Sequence, residues 1–237
     1  MAEIENAIIM AAGLGTRMRP LTYETPKPLI KVAGKPMIES IIEGLHQNGI
    51  YDISIVVGYL AEQFNYLGEK YPGVKLINNP YYNQYNNISS LYVARNELKN
   101  TVILDGDQLV MNPKLLKREF THSGYAGAEI SQFTDEWIMH PDQNDKILQC
   151  DRSGNDHGWR LYSLSKWQAE DSLRLKDYLE EEFEHAHHYD IYWDDIAMFD
   201  YFDEFSLYVM PITANDIIEI DSVDQLKQVD QQLTKRG

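Results

Sequence analysis

The residues of this sequence that could do chemistry are concentrated in one short segment, which reads AAGLGTRMRPLTYETPKP from residue 11 to residue 28. Gly13 and Gly15 allow a backbone to turn tightly and to approach a ligand without a Cβ in the way. Successive backbone N–H groups in such a turn form a concave site for anions. Arg17 adds a guanidinium fork that matches phosphate oxygens, and Lys27 adds a mobile positive charge. The segment therefore predicts a site for a polyphosphate.

Two common phosphate-binding loops are excluded. A Walker A loop requires a Lys followed by Ser or Thr after its second glycine, and no such pair follows here. A dinucleotide-binding fingerprint requires a third glycine, but Met18 stands at that position. An isolated Gly-x-Gly can also do no more than turn the chain between a strand and a helix. Thr16, Arg19 and Thr25 supply further donors over a short span, which favours the phosphate site.

The elements that must position this loop alternate between strand and helix in the first half of the chain. The apolar runs predict strands at 7–10, 53–57, 74–77 and 101–104, and helical spacing predicts helices at 37–45, 60–71 and 88–98. Strands separated by helices form a parallel sheet with right-handed crossovers. Ligands of such sheets bind outside the carboxyl ends of the strands, where the loop is expected to lie. The pattern predicts an α/β fold, a Rossmann-like and mostly parallel sheet flanked by helices.

The second half of the chain has a different pattern, with short strands separated by Gly, Asp and Asn turns. Strands are predicted at 125–133, 137–140, 146–150 and 159–164, and helices at 166–185 and 222–233. We expect this half to be a smaller insertion that covers the sheet and shapes a pocket for a second substrate.

A metal site is predicted where acidic residues follow strands. Asp105 and Asp107 come directly after the buried strand at 101–104, and Asp221 stands at a later strand-to-helix junction. Mg²⁺ prefers carboxylate oxygens, with the remaining ligands from phosphate and water. We expect Asp107 and Asp221 to bind Mg²⁺. Asp105 could equally be a turn residue or a hydrogen-bond partner of a nucleotide ribose, and Asp221 could instead be a charge at a helix N-terminus.

The loop also resembles a known signature. G-x-G-T-R, followed by P-L-T and T-P-K-P-L, is similar to the motif of the nucleotidyltransferases that join a nucleoside triphosphate to a phosphorylated small molecule. The resemblance implies that the glycine loop wraps the triphosphate, that Arg17 and Lys27 are catalytic residues in contact with phosphates, and that a late I-D-S segment supplies Asp221. The expected nucleotide-binding residues are Ala11, Ala12, Gly13, Leu14, Gly15, Thr16, Asn87, Ser89 and Asp105.

Aromatic and acidic residues stand together in two later segments, T-D-E-W around Trp137 and Y-D-I-Y-W-D-D at 189–195. A quaternary ammonium has no N–H to donate, so it binds over aromatic faces with a carboxylate nearby. Both segments resemble the bacterial choline-phosphate cytidylyltransferases, which implies a choline site. The expected acceptor-binding residues are Trp137, Asp190, Tyr192, Trp193 and Asp194. Only one of the adjacent rings Tyr192 and Trp193 should face the pocket if both lie on one element.

The reaction implied by this resemblance is Mg²⁺-dependent transfer of CMP from CTP to phosphocholine, giving CDP-choline and pyrophosphate. The chain would be one nucleotidyltransferase domain over 1–237, with a nucleotide-binding core at about 1–123, an acceptor-binding part at about 124–210 and a return to the core at 211–237. Gln108 departs from the Asp-Asn pair of many relatives, and 166–188 has no counterpart. The acceptor could therefore be phosphoethanolamine, aminoethylphosphonate or a sugar 1-phosphate. A non-catalytic nucleotide sensor is the second alternative.

Composition narrows the possible partners and the compartment. A formal charge of −16 argues against a nucleic-acid surface, which needs clustered Lys and Arg. A single cysteine, Cys150, allows no intrachain disulfide and favours a reducing compartment. The first residues carry no signal-peptide pattern, and no apolar run reaches the length needed to span a bilayer. We expect a cytoplasmic protein without membrane insertion, and the sequence leaves its oligomeric state open.

Overall fold

A nine-stranded sheet forms the centre of the computed structural model, which describes residues 1–235. The strands, including short ones outside this sheet, are β1 (Ala2–Glu3), β2 (Asn6–Ala11), β3 (Lys31–Val32), β4 (Lys35–Pro36), β5 (Ile53–Val57), β6 (Val74–Asn78), β7 (Thr101–Asp105), β8 (Gln108–Val110), β9 (Glu119–Phe120), β10 (Gly124–Ile130), β11 (Ile138–Pro141), β12 (Ile147–Asp151), β13 (Gly158–Trp167), β14 (Tyr208–Ile212) and β15 (Ile217–Glu219). The α-helices are α1 (Met37–Gln47), α2 (Asn65–Lys70), α3 (Ile88–Ala94), α4 (Ala169–Glu180), α5 (Trp193–Asp195) and α6 (Val223–Thr234).

The centre of the sheet is parallel. Strands β7, β2, β5 and β6 lie side by side in that order, and each neighbouring pair runs in the same direction. Ile9 of β2 lies opposite Ile55 of β5 on one side and Leu104 of β7 on the other. Helices α1, α2 and α3 connect these strands in the sequence. The predicted α/β fold with a mostly parallel sheet flanked by helices is confirmed.

The second half of the chain adds antiparallel strands to the same sheet. Strand β13 pairs with β7, β10 and β11 pair with β13, and β12 pairs with β11. The helix predicted from residue 166 begins later, because Lys166 and Trp167 pair with Val102 and Thr101 and thus end β13. Strand pairing has overridden the local helical pattern there. The proposed division into a core, an acceptor-binding part and a returning segment stays a prediction.

The apolar core lies on both faces of the sheet. Successive side chains of β2 point to opposite faces, so that Ala7 and Ile9 pack in one cluster and Ile8 and Met10 in the other. Ile8 and Ile9 are fully buried, and each such side chain stabilises the fold by about 1.5–3 kcal/mol. A strand covered on both faces has a continuous apolar run, which is why β2 could be recognised in the sequence.

Three chain segments meet at one edge of the sheet. Strand β2 ends at Ala11 and leads into the glycine loop, while β7 ends at Asp105 beside it. Strand β15 pairs with β8 and delivers the start of α6 to the same edge. Ser222 caps α6 and exchanges hydrogen bonds with Gln225 in a capping box, and the Asp221 backbone N–H donates to the same Gln225 side chain. Within residues 1–235 no helix has the length and apolar character that a membrane crossing requires.

Candidate active site

The glycine loop is held in a tight turn. Gly15 has a φ of 59°, and a Cβ there would lie 2.9 Å from the Thr22 side chain, so that the position requires glycine. The Thr22 hydroxyl donates a hydrogen bond of 2.8 Å to the Gly15 carbonyl and fixes the turn. Apart from Gly13 and its two neighbours in the chain, no described residue has an atom within 4 Å of the place where a Cβ of Gly13 would stand. The loop is therefore closed on its inner side and open to a ligand at Gly13.

Four of the predicted site residues form one charged cluster. The Lys27 ammonium lies 2.7 Å from a carboxylate oxygen of Asp107 and 2.8 Å from one of Asp221. Arg17 approaches the same Asp221 oxygen at 2.9 Å. Lys27 is almost completely buried, whereas the Arg17 side chain is 74% exposed. The arrangement places one fixed cation between two acids and one mobile cation at the mouth of the site.

The charges of this cluster reinforce one another. Burial alone would lower the pKa of Lys27, but the facing Asp107 and Asp221 carboxylates outweigh it and leave the pKa raised. Burial acts to raise the pKa of Asp221, but its hydrogen bond to Lys27 and the charge of Arg17 leave that pKa lowered. Lys27 therefore carries a positive charge and Asp221 a negative one at neutral pH.

The two carboxylates fit a divalent cation that arrives with a phosphate substrate. Asp107 and Asp221 contact the same ammonium, so their oxygens converge on one point of the open cleft. Residues 1–235 contain no group of three or more acidic, His or Cys side chains that could hold a metal without further ligands. A hard cation bound by two carboxylates takes its other ligands from phosphate oxygens and water, as Mg²⁺ commonly does.

A first cavity of about 280 Å³ opens beside the glycine loop. Tyr82, Tyr85 and Asn86 all line it. Ser89 also lines the cavity, but its hydroxyl already donates to the Asn86 carbonyl and accepts from Asn79. The predicted nucleotide-binding residues that line the cavity are Ala11, Ala12, Gly13, Gly15, Asn87, Ser89 and Asp105. Leu14 and Thr16 belong to the loop but lie outside the lining of this cavity.

A second cavity of about 290 Å³ joins the first. The residues common to both linings are Lys27, Asn87, Asp105 and Asp107. The rings of Trp137 and Tyr192 meet edge-to-face in the second cavity, with centroids 5.9 Å apart, and Asp194 lies in the same wall. Trp137 also packs edge-on against Phe199, which holds its ring in place. Three predicted acceptor-binding residues are thus brought together within reach of the charged cluster.

Two predicted acceptor-binding residues are placed elsewhere. Trp193 is buried in the core, where its ring packs against Tyr125 and Trp167, because it begins α5 and points to the opposite side from Tyr192. Asp190 is exposed and lines a separate shallow cavity with His187 rather than the one that contains Trp137. The assignment of both residues to the acceptor is corrected accordingly.

Other residues of the second cavity were not predicted from the sequence. Glu219 lines it, two positions before Asp221, and the period of two in a strand could have indicated that shared side. Burial raises the pKa of Glu219 to about 7, although the Arg160 guanidinium in contact with it acts in the opposite direction. Glu136 also lines the cavity, beside Trp137. The T-D-E-W segment had pointed to this stretch of acids and aromatic residues, but not to Glu136 in particular.

Two partly buried acids, Asp105 and Asp194, line the second cavity. Burial, and after it the charge of Asp107, raise the pKa of Asp105 to about 7. Burial and the charge of Asp105 raise the pKa of Asp194 well above its ordinary value. The buried Tyr125 hydroxyl lies beside Asp194, and its pKa is raised by burial and by that carboxyl group. A positively charged ligand at Asp194 would offset this local excess of acid.

The fold and the charged cluster define a nucleotidyltransferase. The family model of the MobA-like NTP transferase domain matches residues 7–160, and the chain belongs to this family. Membership confirms the enzyme class expected from the glycine loop and favours it over the non-catalytic sensor.

Two relatives that the chain resembles along nearly its whole length are named as cytidylyltransferases. It is 41% identical over 231 residues to the 2-aminoethylphosphonate cytidylyltransferase of Lancefieldella rimae, covering 97% of this chain and 93% of that one. It is 38% identical over 225 residues to the choline-phosphate cytidylyltransferase of Streptococcus pneumoniae, covering 95% of this chain and 96% of that one. The resemblance to the bacterial choline-phosphate cytidylyltransferases is confirmed.

Solved structures agree with this placement. The CTP:phosphocholine cytidylyltransferase from Streptococcus pneumoniae superposes with a TM-score of 0.91 at 38% identity, covering 98% of this chain and 99% of that one. The inositol-1-phosphate CTP transferase from T. maritima superposes with a TM-score of 0.74 at 17% identity, covering 98% and 96% of the two chains. The second match supports the fold alone.

Proposed function

We propose that this protein transfers CMP from CTP to phosphocholine in the presence of Mg²⁺, giving CDP-choline and pyrophosphate. The observation that supports the acceptor most directly is the wall formed by Trp137, Tyr192 and Asp194. Two rings and an acid suit a quaternary ammonium, and the wall belongs to a cavity that shares Lys27 and Asp107 with the nucleotide cavity. The acceptor phosphate would then meet the triphosphate at the charged cluster.

The chemistry needs positioning and charge stabilisation rather than a covalent intermediate on the enzyme. An oxygen of the acceptor phosphate attacks the α-phosphorus of CTP, and the bond to the leaving pyrophosphate breaks. Lys27 stabilises the negative charge that builds on the transferring group, while Arg17 and the loop N–H groups hold the pyrophosphate. Mg²⁺, held by Asp107 and Asp221, would supply further neutralisation of the phosphate oxygens.

A second candidate acceptor is 2-aminoethylphosphonate, the substrate in the name of the relative from Lancefieldella rimae. Its primary ammonium donates three hydrogen bonds, so acceptor oxygens stabilise it in addition to any aromatic face. Glu136, Asp194 and Glu219 all line the second cavity and could supply them. The acceptor that binds more tightly is phosphocholine if contacts with the rings dominate, and 2-aminoethylphosphonate if hydrogen bonds to the carboxylates dominate.

A panel of substrates tests the proposal. Pyrophosphate release would be measured with each nucleoside triphosphate against phosphocholine, phosphoethanolamine, 2-aminoethylphosphonate and a sugar 1-phosphate. We expect the largest kcat/KM for CTP with phosphocholine. A larger value with 2-aminoethylphosphonate would select the second candidate, and a larger value with the sugar phosphate would refute the ammonium site altogether.

Replacing Trp137 by alanine is expected to raise the KM for phosphocholine by about tenfold, because one aromatic face of the ammonium site is lost. The KM for CTP should change little, since Trp137 lines only the second cavity. Both constants come from initial rates of pyrophosphate release. Trp137→Phe keeps an aromatic face and should retain most of the affinity. Equal increases in both KM values would place Trp137 in the scaffold instead.

Acceptor binding is expected to strengthen as the pH rises, because only the ionised Asp194 carboxylate attracts a cationic headgroup. Burial and the charge of Asp105 raise the pKa of Asp194, so protonation competes with acceptor binding on the acid side. The KM for phosphocholine should therefore fall with increasing pH at saturating CTP. Asp194→Asn should flatten this dependence, whereas titration of the substrate phosphates is common to both proteins. Identical profiles in the two proteins would assign the ionisation to another group.

A further inference from the structure

Two segments that are distant in the sequence and line the two cavities are joined directly to each other. The nucleotide loop, residues 79–87, forms a side of the first cavity, and the acceptor segment, residues 189–194, carries the ring and the acid of the second. Their connecting residues are 104 positions apart in the chain. The contacts between the two segments therefore set the position of Tyr192 and Asp194 relative to the first cavity.

Backbone and side-chain hydrogen bonds make this junction. The Asn86 backbone N–H donates to the Tyr189 carbonyl at 2.8 Å, and the Asn86 side-chain amide donates to the Asp190 carbonyl at 2.9 Å. The backbone N–H of Trp193 donates to the side-chain oxygen of Asn87 at 2.9 Å. Two hydrogen bonds donated by Asn86 and one accepted by Asn87 thus fix the acceptor segment on both sides of Tyr192.

Aromatic packing stiffens the same junction. The Tyr85 ring of the nucleotide loop stacks on the Tyr189 ring of the acceptor segment, with centroids 4.1 Å apart and planes 13° from parallel. Phe183 packs edge-on against both rings. The two segments are therefore packed against each other by aromatic rings as well as by hydrogen bonds.

Asn87 has a further donor that the protein does not use. A backbone N–H can only donate, so the atom of Asn87 that faces Trp193 must be its oxygen. The amide nitrogen on the same carbon has no hydrogen-bond partner among residues 1–235. Asn87 lines both cavities, so this nitrogen is available to a ligand at the place where the two cavities meet.

We propose that Asn86 and Asn87 are positioning residues that couple the two substrate sites. Nucleotide bound against the loop holds the acceptor segment, and with it Tyr192 and Asp194, in the place where the ammonium group binds. The inference rests on the proposed function, since it takes the second cavity as the acceptor site. Because coupling between two binding sites is reciprocal, each substrate should tighten the binding of the other by the same factor.

The coupling can be measured without turnover. Calorimetry would give the Kd of phosphocholine with and without Mg²⁺ and α,β-methylene-CTP, an analogue that cannot transfer its nucleotidyl group. We expect the analogue to tighten phosphocholine binding by about tenfold in the wild type. In Asn86→Ala and Asn87→Ala this factor should fall towards one. Asn83→Ala is the matched control, because Asn83 is an exposed residue of the same loop outside both linings.

Steady-state kinetics and a conservative variant separate coupling from a general loss of structure. Asn86→Ala should raise the KM for phosphocholine more than the KM for CTP, with an unchanged melting temperature. Asn86→Asp keeps the oxygen that accepts from the Asn87 N–H but loses the donor to Asp190. It should reproduce the defect of Asn86→Ala if the contact with the acceptor segment is the cause.

The outcomes distinguish the inference from the proposed function. If the wild type releases no pyrophosphate with phosphocholine but does so with 2-aminoethylphosphonate, the acceptor assignment fails and the same calorimetry uses that acceptor. If the wild type is active but binds its acceptor equally well with and without the analogue, the coupling inference is wrong. An unchanged coupling factor in Asn86→Ala and Asn87→Ala would equally overturn it.

Discussion

Replacing Lys27 by alanine is expected to lower kcat by about 10²–10³-fold while the protein still folds. The Lys27 ammonium is buried between Asp107 and Asp221, within 2.8 Å of each, and lines both cavities. It is therefore placed where charge builds on the transferring phosphate, and removing it leaves two acids facing each other and the substrate. Single-turnover pyrophosphate release measures the chemical step without the contribution of product release.

Three comparisons support the interpretation of this variant. Lys27→Arg keeps the charge and should retain more activity than Lys27→Met, which keeps only the length of the side chain. Lys35→Ala removes an exposed ion pair with Glu43 and serves as the matched control lysine. Turnover of Lys27→Ala within a few-fold of the wild type, with an intact melting transition, would remove Lys27 from the reaction.

Replacing Asp107 by alanine is expected to reduce activity at least about 100-fold and to weaken the response to Mg²⁺. Asp107 is one of two carboxylates that converge on the cleft, and its loss leaves the cation with Asp221 as its one carboxylate ligand beside phosphate and water. Loss of Asp107 also removes one of the charges that keep the pKa of Lys27 raised against burial. Initial rates over a Mg²⁺ titration give both the maximal rate and the half-saturating concentration.

One conservative substitution and one distant control show whether the effect of Asp107→Ala comes from the charge at this position. Asp107→Asn preserves the shape of the side chain and removes its charge, so it should resemble the alanine variant in its Mg²⁺ response. Asp203→Asn changes an exposed acid outside both cavities and should leave the titration unaltered. A fully active Asp107→Ala enzyme with an unaltered Mg²⁺ titration would show that the metal binds elsewhere.

The positions of the glycine loop, Asp105 and Asp107 in the fold could be predicted because each directly follows a strand in the sequence. The buried strand β2 runs directly into the glycine loop, so the loop must lie at the carboxyl edge of a parallel sheet. The same rule placed Asp105 and Asp107 at that edge, since they follow the parallel neighbour β7. Secondary structure and one topological rule were sufficient for these residues.

The acceptor-binding residues could be predicted less well, because whether each of them lines the second cavity depends on the direction of its side chain. Tyr192 and Trp193 are adjacent aromatic residues, yet one is half exposed in the second cavity and the other is buried against Trp167. The direction is decided by the start of α5, where the Tyr192 backbone N–H donates to Asp195. Asp190 differs for another reason, since its backbone carbonyl is held by Asn86 while its side chain faces solvent.

By itself, the amino-acid sequence determined the parallel core, the phosphate loop and the identity of the charged residues, because each depends on short-range patterns of apolar, glycine and ionic side chains. Only the tertiary structure decided that Arg17, Lys27, Asp107 and Asp221 form one cluster and that two cavities share its residues. It also decided which aromatic rings reach the acceptor and which fill the core. Contacts between residues so distant in the chain depend on how strands pair and how helices pack, and no local pattern encodes that geometry.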